Sequence, residues 1–117
     1  NEYVFFALTD HLDEENFQRL DSLAWEKGLN RVTPHANHRN TDISLIIIAS
    51  SVTEEAERMV RTRRHYKNYR FSLQGFSQYH LIVLDLSREK ITCNRQGRSM
   101  KKIFSKIFTL QEKERKK

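Results

Sequence analysis

Between Asp42 and Ser50 the chain reads Asp-Ile-Ser-Leu-Ile-Ile-Ile-Ala-Ser. A strand with one face in water alternates apolar and polar side chains, and this run hardly does. At Ile43 to Ala49 it is also far too short to cross a bilayer, which takes about 20 apolar residues. It therefore reads as a strand buried on both faces, in the middle of a sheet. The rest of the chain must supply the layers that cover it.

Glu2 to Leu8 is aromatic and β-branched and reads as a buried first strand. A helix follows. Asp13 has the chemistry of an N-cap, Glu14 and Glu15 favour the positive end of the helix dipole, and Leu12 and Phe17 have the spacing of a hydrophobic staple. Phe17, Leu20, Leu23 and Ala24 form its inward stripe, Trp25 lies off that stripe, and Gly28 reads as its stop. Leu29 to Thr33 is a candidate short strand before Pro34. Ser51 and Glu54 have capping-box spacing for a second helix with Val52, Ala56, Met59 and Val60 inward. The period then changes to two over Arg70 to Leu73, Tyr79 to Leu86 and Lys90 to Asn94, which reads as an antiparallel meander with Gly75 in a turn. Ser99 is a candidate cap for a last helix with Met100, Ile103, Phe104, Ile107 and Phe108 on one face.

This order predicts an α+β fold: a ferredoxin-like split β-α-β sheet extended by a C-terminal hairpin and helix. A second parse starts at residue 51, where helix, three strands and helix give a nuclease-like α-β-β-β-α core. The 117 residues suffice for one domain with a modest core, expected over residues 1–111, with 112–117 a charged tail that frays. The first residue is Asn1 rather than Met, consistent with a fragment of a longer protein. Cys93 is the only cysteine, so an internal disulfide is excluded and a reducing, intracellular setting, cytoplasmic or nuclear, is expected. With no signal-peptide pattern and no spanning run, no membrane partner is expected.

Charge separates function classes more sharply. Residues 1–60 carry five Lys/Arg against eleven Asp/Glu, and residues 61–117 carry sixteen against four. Arg58 to Arg70 alone holds six fixed cations, His65, Tyr66 and Tyr69, and no acid. Cations that neutralise phosphates, mixed with rings that stack on bases, are what nucleic-acid binding uses. The expected function is a non-catalytic DNA- or RNA-binding module. Arg61, Arg63, Arg64, Lys67 and Arg70 would form one phosphate-contacting group. Arg95, Arg98, Lys101 and Lys102 would form a second at a helix N-terminus. Tyr66 and Tyr69 are the stacking candidates, and Arg63 and Arg64 are expected to point to solvent. The same charge separation also fits a protein-interaction domain with acidic and basic faces, or other proteins of one assembly as partners.

Catalytic constellations fare less well. Gly28, Gly75 and Gly97 are isolated, so no nucleotide-binding fingerprint is present and no cofactor is expected. Asp85 could be the first acid of a metal-dependent nuclease, but the next strand offers Ile91, Thr92 and Cys93 where a second acid and a lysine are needed. Glu89 and Lys90 are adjacent and so face opposite sides of a strand. His35, His38 and Asp42 give only three candidate metal ligands in a polar segment, and no metal site is assigned. His65, with Arg64, Tyr66 or Lys67, could serve a metal-independent ribonuclease, but the same groups can simply bind phosphate. His80 lies near the same basic region. Base stacking on the sheet itself is disfavoured, because Tyr3, Phe5 and Phe6 on the first strand have no aromatic counterpart between Asp42 and Ser50.

Overall fold

The computed structural model describes residues 2–31, 40–68 and 75–115. They form an α+β fold with a mixed five-stranded sheet and three helices: β1 (Glu2–Leu12), α1 (Glu14–Asn30), β2 (Thr41–Val52), α2 (Glu54–Thr62), β3 (Tyr66–Asn68), β4 (Phe76–Asp85), β5 (Lys90–Cys93) and α3 (Arg98–Arg115). Strands β1, β2 and β4 lie side by side and parallel. Strands β3 and β5 both run antiparallel to β4, β3 along Phe76 to Gln78 and β5 along Ile82 to Asp85.

The apolar run is the centre of this arrangement. Ile43, Leu45, Ile47 and Ala49 face one way, beside Tyr79, Leu81 and Val83 of β4, and are covered by Phe17 and Ala24 of α1 and Ala56 and Val60 of α2. Ile46 faces the other way with Ile82, Leu84 and Ile91, and is covered by Phe108, Phe104 and Met100 of α3. Each large apolar side chain buried in these layers contributes about 1.5–3 kcal/mol.

Several expectations change. A split β-α-β plan leaves a slot between the strands that a helix connects. Here β1 and β2 are hydrogen-bonded neighbours, so the ferredoxin-like order does not describe the sheet. From residue 51 the described elements run helix, three strands, helix; the strand expected over Arg70 to Leu73 lies outside the described residues, the short β3 precedes it, and β3 and β5 share one edge of β4. The expected strand over Leu29 to Thr33 is replaced at its start by the last turn of α1, and Val32 and Thr33 lie outside the described residues. Gly28 is inside α1, not at its end. It is buried against β2, and a Cβ there would come within 2.7 Å of the Ile43 side chain. Thr53 rather than Ser51 caps α2, its hydroxyl accepting from the Ala56 amide at 3.0 Å, because β2 continues to Val52 opposite Leu12. Ile103, expected in the core, is 63% exposed, and α3 remains helical to Arg115. The Asp13 cap is as expected and reciprocal. Its carboxylate accepts from the Asn16 amide at 2.9 Å, and the Asn16 side chain accepts from the Asp13 amide at 2.8 Å.

Candidate nucleic-acid interface

Strand β5 lies between the end of α2 and the start of α3. A cleft of about 420 Å³ opens there, lined by Arg61, Lys90, Ile91, Thr92, Cys93, Arg98 and Lys101. Four cations surround an apolar floor, and no carboxylate lines it. Arg61 comes from the last turn of α2, Lys90 from the first residue of β5, and Arg98 and Lys101 from the first turn of α3.

Asn94 pins these pieces together. Its side chain is 1% exposed and fully used. The amide oxygen accepts from the Leu81 amide at 3.0 Å and the Gly97 amide at 2.8 Å. The amide nitrogen donates to the Tyr79 carbonyl at 3.0 Å and the Arg63 carbonyl at 3.1 Å. One side chain thereby joins β4, the segment leaving α2 and the turn into α3. Gly97 completes that turn, since a Cβ there would lie 2.5 Å from the Leu81 carbonyl oxygen.

Beneath the cations is a buried carboxylate. Glu57 is 5% exposed, and its two oxygens accept from Arg61 at 2.9 Å, from Arg88 at 2.8 Å and from Lys90. The Lys90 hydrogen bond, with Arg88 assisting and outweighing burial, holds the Glu57 carboxyl down to about 2. Arg88 also donates from Nε to Asp85 at 2.7 Å, while Ser87 donates to the other Asp85 oxygen. Burial raises the Asp85 carboxyl, but the Ser87 and Arg88 hydrogen bonds lower it further, and the net direction is down. The two acids hold three cations in fixed positions and leave a positive balance. Arg98 and Lys101 have no carboxylate partner among the described residues.

The expected site residues divide accordingly. Arg61, Arg98 and Lys101 come together in the cleft, which joins the two basic groups. Arg64, Arg95 and Lys102 are exposed, as is Lys67 on β3. Tyr66 is 51% exposed, and its ring sits 5.5 Å from that of Phe76. Tyr69 and Arg70 lie outside the described residues. Arg63 does not point to solvent. It donates to Asp21 at 3.1 Å and to Gln18 at 2.8 Å, and its guanidinium lies 5.4 Å from the Phe17 ring centre. With its side chain only 21% exposed, against 52% for Arg61 and 45% for Lys90, Arg63 is a structural cation and not a free phosphate contact.

The histidines are also engaged. His65 Nε2 lies 2.9 Å from the same Asp21 oxygen, and its ring stacks on Trp25 at 5.1 Å and meets Tyr79 edge-on at 4.9 Å. Burial, reinforced by Asp21, pushes the Tyr79 phenol far above its ordinary range. His80 Nδ1 is 2.8 Å from the Gln96 carbonyl oxygen, and Nε2 lies 3.2 Å from Asp42 without hydrogen-bond alignment. Among the described residues no three His, Cys, Asp or Glu side chains are grouped to hold a metal, and His35 and His38 fall outside them. No described helix is long and apolar enough to cross a membrane.

Sequence reasoning missed Lys90 and Asn94. Lys90, next to Glu89, fits no nuclease spacing, and nothing in its sequence neighbours shows that it lines a cleft with Arg61. A polar residue at a strand end, three before Gly97, was the available signal for Asn94.

No curated protein matches the chain, and no solved structure matches it. A family profile does match, over residues 1–106, and the chain belongs to that family, described as a domain of unknown function (DUF8052).

Proposed function

We propose that the protein is a non-catalytic nucleic-acid-binding module that takes the sugar–phosphate backbone into the cleft at β5. The observation that carries this reading is the lining itself: Arg61, Lys90, Arg98 and Lys101 converge on one concavity without an acid. Cations held in place by Glu57 lose less side-chain freedom on binding a phosphate than free surface lysines do. Arg64, Arg95 and Lys102 are exposed and add to the positive charge of this half of the chain. The apolar floor of Ile91 and Cys93 suits a sugar or base face. The reading places the module inside the cell, with its nucleic acid.

Catalysis by the Asp85 region is not part of this proposal. Arg88 bridges Glu57 and Asp85, so both carboxylates are neutralised by cations of the chain instead of facing a metal ion. A protein-interaction role has its own support on a different surface, the exposed side chains of β1.

Labelled single- and double-stranded DNA and RNA, titrated at several salt concentrations, test the proposal. Binding that weakens steeply with salt is expected. No binding to any of the four at low salt would remove it.

A further inference from the structure

The two edges of the sheet differ in kind. Natural sheets blunt their edges with short strands, lysines, prolines or bulges, because an unpaired edge is a template for another strand. The edge beyond β4 follows that practice: β3 has three residues and carries Lys67, and β5 has four and carries Lys90. β1 does not. It has 11 residues, contains no Lys, Arg or Pro, and keeps one register from Glu2 opposite Asp42 to Leu12 opposite Val52 without a bulge. Among the described residues it pairs only with β2. Its outward side chains Val4, Phe6 and Leu8 are 43%, 68% and 80% exposed.

We infer that β1 pairs antiparallel with β1 of a second copy, about a two-fold axis through Ala7, to make one continuous ten-stranded sheet from two five-stranded ones. The register follows from face and charge. Side chains directly opposite each other share a face, so the axis must pass through a residue of β1 and not between two. An axis at Phe6 would set Glu2 against the second copy's Asp10, twice, and like charges directly opposite repel. An axis at Leu8 would set Phe6 against the second copy's Asp10, whereas an axis at Ala7 sets the smaller and less exposed Val4 there. At Ala7, Phe6 meets the second copy's Leu8, and Leu8 meets the second copy's Phe6. The most exposed apolar pair is thereby self-complementary, as an isologous interface requires. Phe5 then faces the second copy's Thr9, and Tyr3 its His11.

The area is that of a small, concentration-dependent interface. An 11-residue edge is about 36 Å long and about 10 Å thick, on the order of 350 Å² per copy from the strand alone. Two copies together bury on the order of 700 Å², below the roughly 1,000 Å² of stable interfaces, so the association is weak and shows only at high concentration. Because β1 and β5 lie at opposite ends of the sheet, the dimer would carry one basic cleft on each outer edge.

The test is sedimentation velocity on the full chain from low to several hundred micromolar, with two kinds of variant. The wild type should move from a 14.0 kDa monomer to a species of twice that mass as concentration rises. Phe6→Lys and Leu8→Lys, at exposed positions, should each abolish the dimer, with circular dichroism and the melting temperature at low, monomeric concentration unchanged. In a Cys93→Ser background, Ala7→Cys should give a disulfide-linked dimer on mild oxidation, and Leu8→Cys should give much less. A wild type that stays monomeric throughout, or a dimer indifferent to both lysines, would overturn the inference. Stronger cross-linking from Leu8→Cys than from Ala7→Cys would overturn the register.

Discussion

Arg63 and Asp21 are 42 positions apart in the chain and 3.1 Å apart in the fold. The pair fastens the segment after α2 onto α1, where Asp21 is 0% exposed. Arg63→Ala should destabilise the protein by about 1–3 kcal/mol, because His65 alone would then answer a buried carboxylate. It should leave the salt dependence of nucleic-acid binding unchanged. Arg64→Ala, one residue on and exposed, should do the reverse. Denaturant titration and binding titration of the two variants separate these roles.

Asn94→Ala should be among the most damaging single changes near the cleft. Four hydrogen bonds end on this side chain, two given and two received. Removing it strands the Leu81 and Gly97 amides and the Tyr79 and Arg63 carbonyls. The expected loss is at least about 3 kcal/mol. Urea unfolding reads it directly, and a loss under about 1 kcal/mol would mean that the turn into α3 is held by other contacts.

The centre of the fold was legible in the sequence, and its neighbours were not. A near-continuous apolar run marks a central strand whatever pairs with it, and Asp42 to Ser50 lies within β2. The same run is also what parallel sheets look like, and that half of its meaning is realised in β1-β2-β4. Hydrophobic period says which face a residue takes, but not which strand lies beside it. The α1 stripe held another clue. Phe17, Asp21, Ala24 and Gly28 are its buried residues, so an acid occupies a core position and requires a partner. That partner is Arg63, which a count of cations alone groups with the phosphate contacts. Exposed and inward-turned arginines look alike in a sequence, and only the fold shows which of them meets a buried acid.

Glu57 makes stability depend on pH in a defined window. Its folded value of about 2 lies below the ordinary 4.5, so the unfolded chain binds the proton more readily. The sign is therefore a contribution fully present above about pH 4.5 and lost as pH falls towards 2. At neutral pH it amounts to on the order of 2–3 kcal/mol, since the cations that hold it are themselves about half exposed. Glu57→Gln should lose that amount at pH 7 and show a flatter pH dependence below 4.5. Urea titrations at neutral and acid pH check both.

Asp85 provides a test of chemistry. Asp85 is bound to Arg88 and Ser87, the neighbouring Glu57 is held by Arg61, Arg88 and Lys90, and Ile91, Thr92 and Cys93 of β5 add no further acid. Incubation of DNA with the protein and Mg²⁺ or Mn²⁺ should give no cleavage. Metal-dependent cleavage that Asp85→Ala abolishes would show that the Arg88 bridge opens to admit the ion.

The central claim is that the cleft at β5 holds phosphates, and the slope of log K against log salt tests it most directly. Arg98 and Lys101 line the cleft and have no carboxylate partner among the described residues, so replacing both by Ala should leave the fold intact. If each makes one phosphate contact, the double variant should bind more weakly and its slope should flatten by about 1.4 with a single strand or about 1.8 with duplex DNA. An unchanged slope and affinity, with an unaltered melting temperature, would contradict the claim.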